Sequence, residues 1–139
     1  MRNEKSESLI QFIKFALVGA SNTLVDWIIF YLLVSTILFD QHSTAKAISF
    51  VVAVLNSFLW NTVWTFRNEY KNIDAKSIVF IKFVVISLIG WGVNLYVFNL
   101  SSMMMTFQIF NRDLLPLVLA SAAAIVVNFF GNKLWAYKK

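Results

Sequence analysis

The chain has no cysteine. Disulfides, thiolate metal ligands and a thiol nucleophile are therefore excluded together. Histidine is nearly missing as well. His42 is the only one, and it stands in a short polar stretch, DQHST, without carboxylates at ligand spacing, so it reads as a solvated loop residue rather than a metal ligand. No pair of carboxylates has a spacing suited to general acid and general base, and no activated nucleophile or metal cluster is apparent. Acid–base and covalent chemistry lack participants, which argues against an enzyme and against any bound cofactor or metal.

Charge of both signs is sparse. Only 14% of the 139 residues are charged, 59% are hydrophobic and the mean hydropathy is +0.70, too little polar surface for a soluble globule. What the chain has instead is four long apolar runs, near residues 10–36, 44–66, 78–100 and 114–136. A hydrocarbon core about 30 Å thick needs roughly 20 apolar residues per helix, and each run suffices. The expected fold is an all-α, multi-pass membrane protein with four transmembrane helices, a single domain over residues 1–139 with short connections. Met1 to Ser8 (MRNEKSES) reads as a charged, poorly ordered start. The run behind it passes Gly19-Ala20-Ser21 without a break, so it reads as a retained first helix and not a cleaved signal.

A pI of about 9.6 would suit nucleic acid, but topology accounts for the basic residues. Arg2, Lys5, Lys14, Arg67, Lys71, Lys76, Lys82, Lys133, Lys138 and Lys139 lie at the N-terminus, the middle loop or the C-terminus, and only Lys46 and Arg112 lie elsewhere. This asymmetry predicts a cell-membrane protein with both termini and the middle loop cytoplasmic, the first and third loops outside, and no nucleic-acid partner.

Two pairs of segments repeat. Phe12 to Phe15 and Phe80 to Phe83 both read FIKF, and the same register pairs Asp26 with Asn94 and Phe30 with Phe98. The helix ends SFLWNTVWTF (from Ser57) and NFFGNKLWAY (from Asn128) align without a gap, so that Asn61 matches Asn132 and Trp64 matches Trp135. The chain reads as a duplicated two-helix unit, roughly 9–68 and 77–139. Because each copy contributes two spans, both enter from the same side, as parallel repeats about an axis along the membrane normal.

Helical periodicity then picks out polar faces. Gly19, Asn22, Thr23 and Asp26 share one third of the first helix. Asp26 is the only carboxylate inside an expected span. An acid there must face the bundle or a wet cavity, either as a protonated packing contact or as a site for protons, cations or a substrate hydroxyl. On the second helix, Ser57, Asn61 and Trp64 share a face, from which Asn56 points well away. Ser43 or Thr44 is expected to cap this helix. Trp64 and Phe66 suit an interfacial aromatic belt, while Asn61 can also serve a sugar or phosphate. Ser87, Gly90 and Asn94 repeat the first helix's face on the third. One carboxylate between two similar halves suggests one asymmetric site at the repeat interface.

The middle loop, RNEYKNIDAKS, reads as a solvated turn or a docking place for a cytoplasmic enzyme. Ser101 to Asp113 is expected to form the outer connection, with Asp113 capping a fourth helix that Pro116 starts. That helix places Ser121, Ala124, Asn128, Asn132 and Trp135 on one face, as close helix packing also would. Lys14, Lys82 and Lys133 mark matching helix ends, where they either snorkel to headgroups or gather a phosphate.

Together, FIKFALVGASNTLVDWIIF, SFLWNTVWTF, FIKFVVISLIGWGVNLYVF and NFFGNKLWAY resemble the GtrA-like family over nearly the whole chain. Asn128, Phe129, Asn132, Lys133, Trp135 and Tyr137 match its helix-end pattern, an Asn-aromatic pair, then Asn with a basic residue, then an aromatic exit. The first copy departs from it, with Ser57 for the first Asn and Thr62 for the basic residue.

The resemblance implies a flippase for a polyprenyl-phosphate-linked monosaccharide, carried from the cytoplasmic to the outer leaflet to glycosylate an envelope polysaccharide or teichoic acid. A polyprenyl-phosphate glycosyltransferase and an outer-face glycosyltransferase are then its expected partners, besides membrane lipids. On this reading Lys14, Lys82 and Lys133 attract the phosphate, and Asn22, Asp26, Asn61, Asn94, Asn128 and Asn132 serve the headgroup. One four-helix chain encloses little space, so a homodimer or larger oligomer is expected. Two other classes compete. A non-catalytic anchor or regulatory subunit of a polyprenyl-phosphate glycosyltransferase would use the amides only for packing. A small proton-coupled drug exporter would share the first-helix carboxylate, but its dual topology needs a weaker charge bias than this chain has.

Overall fold

The computed structural model describes residues 4–104 and 114–138. Among them there is no strand, and four helices are long and apolar enough to cross a membrane: Ser6–Thr36, His42–Thr65, Lys76–Met104 and Leu115–Ala136. The elements are α1 (Glu4–Thr36), α2 (His42–Trp60), a π-helical turn π1 (Asn61–Thr65), α3 (Arg67–Lys71), α4 (Lys76–Met104), α5 (Leu114–Gly131) and a second π-helical turn π2 (Asn132–Ala136). The chain divides into two compact units, Met1–Asn72 and Ile73–Lys139. In the first, α1 packs along α2; in the second, α4 packs along α5.

Three boundaries differ from the sequence expectations. Residues 4–8 of the charged start are already helical, because Glu and Lys are good helix formers and an established helix extends at little cost. His42 opens α2 instead of sitting in a loop, exposed and 6.3 Å from the Phe30 ring. Ser43 and Thr44 therefore lie inside the first turn and do not cap it. The reversal before them is closed by backbone bonds, Leu38 N–H to Leu33 O (2.8 Å) and Gln41 N–H to Leu38 O (3.1 Å). Finally, α4 continues to Met104, and Ser101 Oγ turns its hydroxyl back onto Val97 O (2.6 Å). Pro116 lies in the first turn of α5, where its missing N–H costs nothing. Arg112 and the Asp113 cap lie outside the described residues.

The middle connection is more than a solvated turn. Its short helix α3 exposes Arg67, Asn68 and Lys71. Glu69, however, accepts a short hydrogen bond from Gln11 Nε2 of α1, and the Tyr70 ring meets Phe58 edge-on at 6.4 Å.

The cores follow from size and spacing. On α2 the buried residues Ala45, Ser49 and Ala53 recur every four positions, which lets the α1 backbone approach closely. Phe15 and Phe66 close the other end of that unit with ring centroids 6.1 Å apart. In the second unit Val79, Phe83, Ile86, Ala120, Phe129 and Tyr137 are buried.

Neither π-helical turn is expected from the sequence. In each, an N–H bonds to the carbonyl five residues back: Phe66 to Asn61 O (2.7 Å) and Tyr137 to Asn132 O (2.9 Å). Such a turn holds more residues per revolution than an α-helix, so it rotates whatever follows. Phe66, expected in an interfacial belt, is instead fully buried, and so is Tyr137.

Candidate functional site

Both π-helical turns begin with an asparagine that folds back on its own helix. Asn61 Nδ2 donates to Ser57 O (2.9 Å) and Ser57 Oγ (3.3 Å); Asn132 Nδ2 donates to Asn128 O (2.8 Å). Both side chains are buried, and in both the amide oxygen Oδ1 has no hydrogen-bond partner. Buried carbonyl oxygens are normally satisfied, because a donor lost on leaving water costs about 1–3 kcal/mol. In the first unit Thr65 Oγ1, one turn on, is likewise buried without a partner.

Three residues after each asparagine, a tryptophan receives a lysine from the neighbouring helix. Lys14 Nζ lies 5.4 Å from the Trp64 ring centroid, and Lys82 Nζ lies 5.4 Å from that of Trp135 while donating to Trp135 O at 3.2 Å. The ring quadrupole holds an ammonium there without neutralising it, so each cation stays available to an anion. Lys133 lies 5.6 Å from the Phe129 ring on its own helix. Each unit thus joins an ammonium, an aromatic face and a buried amide at the end of its helix pair that carries the π-helical turn.

Deeper in the first unit, Asn56 Nδ2 donates to Asn22 Oδ1 at 3.3 Å. Asn56 does leave the face shared by Ser57 and Asn61, but the face it takes is the one towards α1. Near the hairpin turn, Asp26 pairs with the Lys46 ammonium and accepts a hydrogen bond from Ser49 Oγ at 2.7 Å. Both partners come from α2, so Asp26 joins the two helices through a lysine and a serine. The sequence marks that lysine only as an exception to the charge asymmetry.

The second unit handles the matching layer differently. Gly90 stands where the first unit has Asn22, and Asn128 stands where it has Ser57. The Asn128 amide fills the space over Gly90, so closely that a Cβ built there would lie 2.5 Å from Asn128 Cγ. The large residue has moved from one helix to the other, and each hairpin keeps an amide in the layer. Asn128 Oδ1 is also buried without a partner. Asn94 is half-buried on α4, about 18 Å along the helix from Lys82, and is not part of the lysine–tryptophan cluster. Among the described residues no group of three or more His, Cys, Asp or Glu gathers.

Of the sequence-predicted residues, then, Lys14 and Asn61 come together at one hairpin end, and Lys82, Asn128, Asn132 and Lys133 at the other. Asn22 and Asp26 occupy separate layers farther along α1. Sequence reasoning missed the contacts of Lys46, Ser49 and Asn56, and treated Trp64 as a belt residue and Trp135 as part of a packing face. The usable signal was the hairpin itself. In antiparallel helices, residues equidistant from the turn face each other, and on that count Asn22 meets Asn56 and Lys14 meets Trp64.

A family model described as the GtrA/DPMS transmembrane domain matches residues 14–137. A curated relative, "Uncharacterized membrane protein YngA" of Bacillus subtilis (strain 168), is 32% identical over 125 residues, covering 89% of this chain and 77% of that protein. No solved structure matches the chain. With four membrane-spanning helices in place and nearly the whole chain covered by the match, this protein belongs to the GtrA/DPMS transmembrane-domain family.

Proposed function

We propose that the protein is a non-enzymatic translocase that carries a polyprenyl-phosphate-linked monosaccharide from the cytoplasmic to the outer leaflet, where glycosyltransferases use it to decorate an envelope polysaccharide or teichoic acid. The observation that carries this reading is the pairing, in both units, of a lysine on a tryptophan face with a buried asparagine whose amide oxygen lacks a donor. A phosphodiester drawn towards a low-dielectric interior needs a cation, and sugar hydroxyls need acceptors. The clusters offer both. The family match supports a role with polyprenyl-phosphate sugars.

On this reading the two units are parallel repeats with cytoplasmic termini, as the basic residues predict. Lys14, Lys82 and Lys133 draw the phosphate from the cytoplasmic side. Asn61, Asn128 and Asn132 accept sugar hydroxyls, and Asn22, Asp26 and Asn94 offer polar contacts farther along, while the prenyl chain stays in lipid. A homo-oligomer supplies whatever enclosure one chain lacks.

The test is leaflet exchange of a labelled polyprenyl-phosphate monosaccharide in proteoliposomes. Wild-type protein should accelerate exchange, and Lys14→Ala with Lys82→Ala should slow it at least about tenfold, the loss of one charge-assisted contact. Exchange no faster than in empty liposomes, with the fold confirmed, would defeat the proposal. Asn132→Leu sharpens the test. It removes an amide whose oxygen is unpaired, so the thermal midpoint should move by only a few degrees while exchange falls about tenfold. A midpoint collapse with exchange in proportion to folded protein would make Asn132 structural.

The exposed side of α3 favours one alternative, a subunit that docks a glycosyltransferase. There, Arg67→Glu with Lys71→Glu would break the complex while Asn132→Leu would not. Glu69 and Tyr70 should be left intact in such a test, because they pack on α1 and α2.

A further inference from the structure

Leu17, Val18, Ser21, Trp60, Val63 and Trp64 line an open groove of about 460 Å³ in the first unit, a volume within the usual range for small-molecule sites. Its walls are nearly all apolar. Leu17, Trp60, Val63 and Trp64 are each between 41% and 55% exposed, so the groove opens outward along the hairpin. Lys14, Leu17, Val18 and Ser21 follow one another at helical spacing on α1, and the Trp64 ring that forms one wall is the ring that holds the Lys14 ammonium. The cation therefore sits at one end of the groove, and the apolar channel runs from it for about 10 Å towards the middle of the span.

The second unit carries different side chains at the positions that line this groove. Its matching positions hold Ile86 for Val18, Ile89 for Ser21 and Gly131 for Trp60. Ile86 lies against Gly131 so tightly that a Cβ there would stand 2.9 Å from Ile86 Cγ2. The lysine and the π-turn tryptophan recur in both units, while Ser21 and Trp60 belong to the first alone.

We propose that this groove seats the phosphate-proximal isoprene units of the polyprenyl-phosphate substrate, with Lys14 at the phosphate. The inference rests on the translocase reading for the identity of its ligand. An anionic head joined directly to a methyl-branched chain matches a cation at the mouth of an apolar, tryptophan-walled groove. A glycerophospholipid places a glycerol ester region between phosphate and chain, where Leu17, Val18 and Trp64 line the groove; its one hydroxyl, that of Ser21, lies about 10 Å farther along α1 and already donates to Val18 O at 2.9 Å. Tryptophan faces and short branched side chains suit methyl-branched, unsaturated chain segments.

The experiment uses the full-length protein in nanodiscs and three photoreactive probes: a polyprenyl monophosphate with a diazirine near its phosphate end, the corresponding polyprenol, and dioleoyl phosphatidic acid with a diazirine at the matching depth. Crosslinks are mapped by mass spectrometry. The polyprenyl probe should label segments 17–21 and 60–64. Ser21→Leu, which imitates the second unit's bulk, and Val63→Phe, which narrows the groove from the other wall, should each reduce that labelling about tenfold, as when a few methylenes lose their site. Lys14→Ala should weaken labelling by the monophosphate but not by the corresponding polyprenol. Equal labelling by phosphatidic acid would make the groove a general lipid seat and overturn the proposal, as would polyprenyl labelling unchanged in both groove variants.

Leaflet exchange measured on the same preparations separates this from the functional reading. Wild-type exchange that persists in groove variants with unaltered labelling sinks the groove alone. Groove labelling without wild-type exchange sinks translocation alone.

Discussion

Lys46→Leu should lower the thermal midpoint of the purified protein further than Asp26→Leu does, and the double replacement should recover most of the loss. Asp26 has a side chain only 18% exposed, whereas that of Lys46 is 57% exposed. Removing the lysine strands a carboxylate between α1 and α2 with a single hydroxyl, Ser49, to serve it. Removing the acid strands an ammonium that can extend on its flexible stem towards the nearer membrane surface. Breaking a buried pair from one side costs about 3–5 kcal/mol, and the exposure of Lys46 brings the expected figure down to about 2 kcal/mol.

The second unit already shows an uncharged solution to the same layer. In the matched register Asp26, Lys46 and Ser49 correspond to Asn94, Leu117 and Ala120. Chemical or thermal unfolding of the two single variants and the double variant gives the coupling directly. Additive losses would mean that the pair is not an energetic unit.

Gly90→Leu should be the most damaging single change in the second unit. Even an alanine Cβ would collide with the Asn128 amide, and α4 and α5 are long, packed helices with no loop nearby to absorb the shift. Overpacking a filled contact costs about 1–3 kcal/mol, and leucine stands at or above the upper end. The collision is with a side chain and not with backbone, so it has a specific cure. Gly90→Ala combined with Asn128→Ala should be clearly more stable than the single-variant losses sum to, as read from melting curves in detergent. Gly19 and Gly92 provide the contrast, since a Cβ on either meets nothing within 4 Å; alanine there should be neutral or slightly stabilising, by up to about 1 kcal/mol.

The four spans were legible in the sequence because membrane insertion depends on length and apolarity, and both are properties of a run, not of a partner. The polar contacts were less legible for the opposite reason. Asn22 and Asp26 stood out as polar residues in apolar surroundings, but their partners Asn56 and Lys46 lie on another helix. Asn56 was set aside because its own helix offered a better polar face, and Lys46 because charge counting had already given it a place. The π-helical turns were out of reach of any fixed period. Phe66 was placed in the interfacial belt as an aromatic residue at a helix end, and the wider turn puts it in the core. Trp64 was read by residue type as a headgroup anchor and Trp135 as part of a packing face, and only the approach of Lys14 and Lys82 from the neighbouring helix gives them a further task.

The two arms of the first hairpin are unequal, 31 residues in one span against 24 in the other. At 1.5 Å per residue they are about 46 Å and about 36 Å long, beside a hydrocarbon core of about 30 Å. The tight turn ties them together at one end, so the surplus of α1 gathers at the end that carries Gln11 and Lys14. There it must lean over or stand proud of the bilayer, and the choice depends on how thick that bilayer is. Acyl-chain length thereby becomes a control variable for this protein. Thicker membranes would draw the Lys14 end inward and thinner ones would push it out, changing the depth at which its charge meets the headgroups without altering a single contact inside the hairpin.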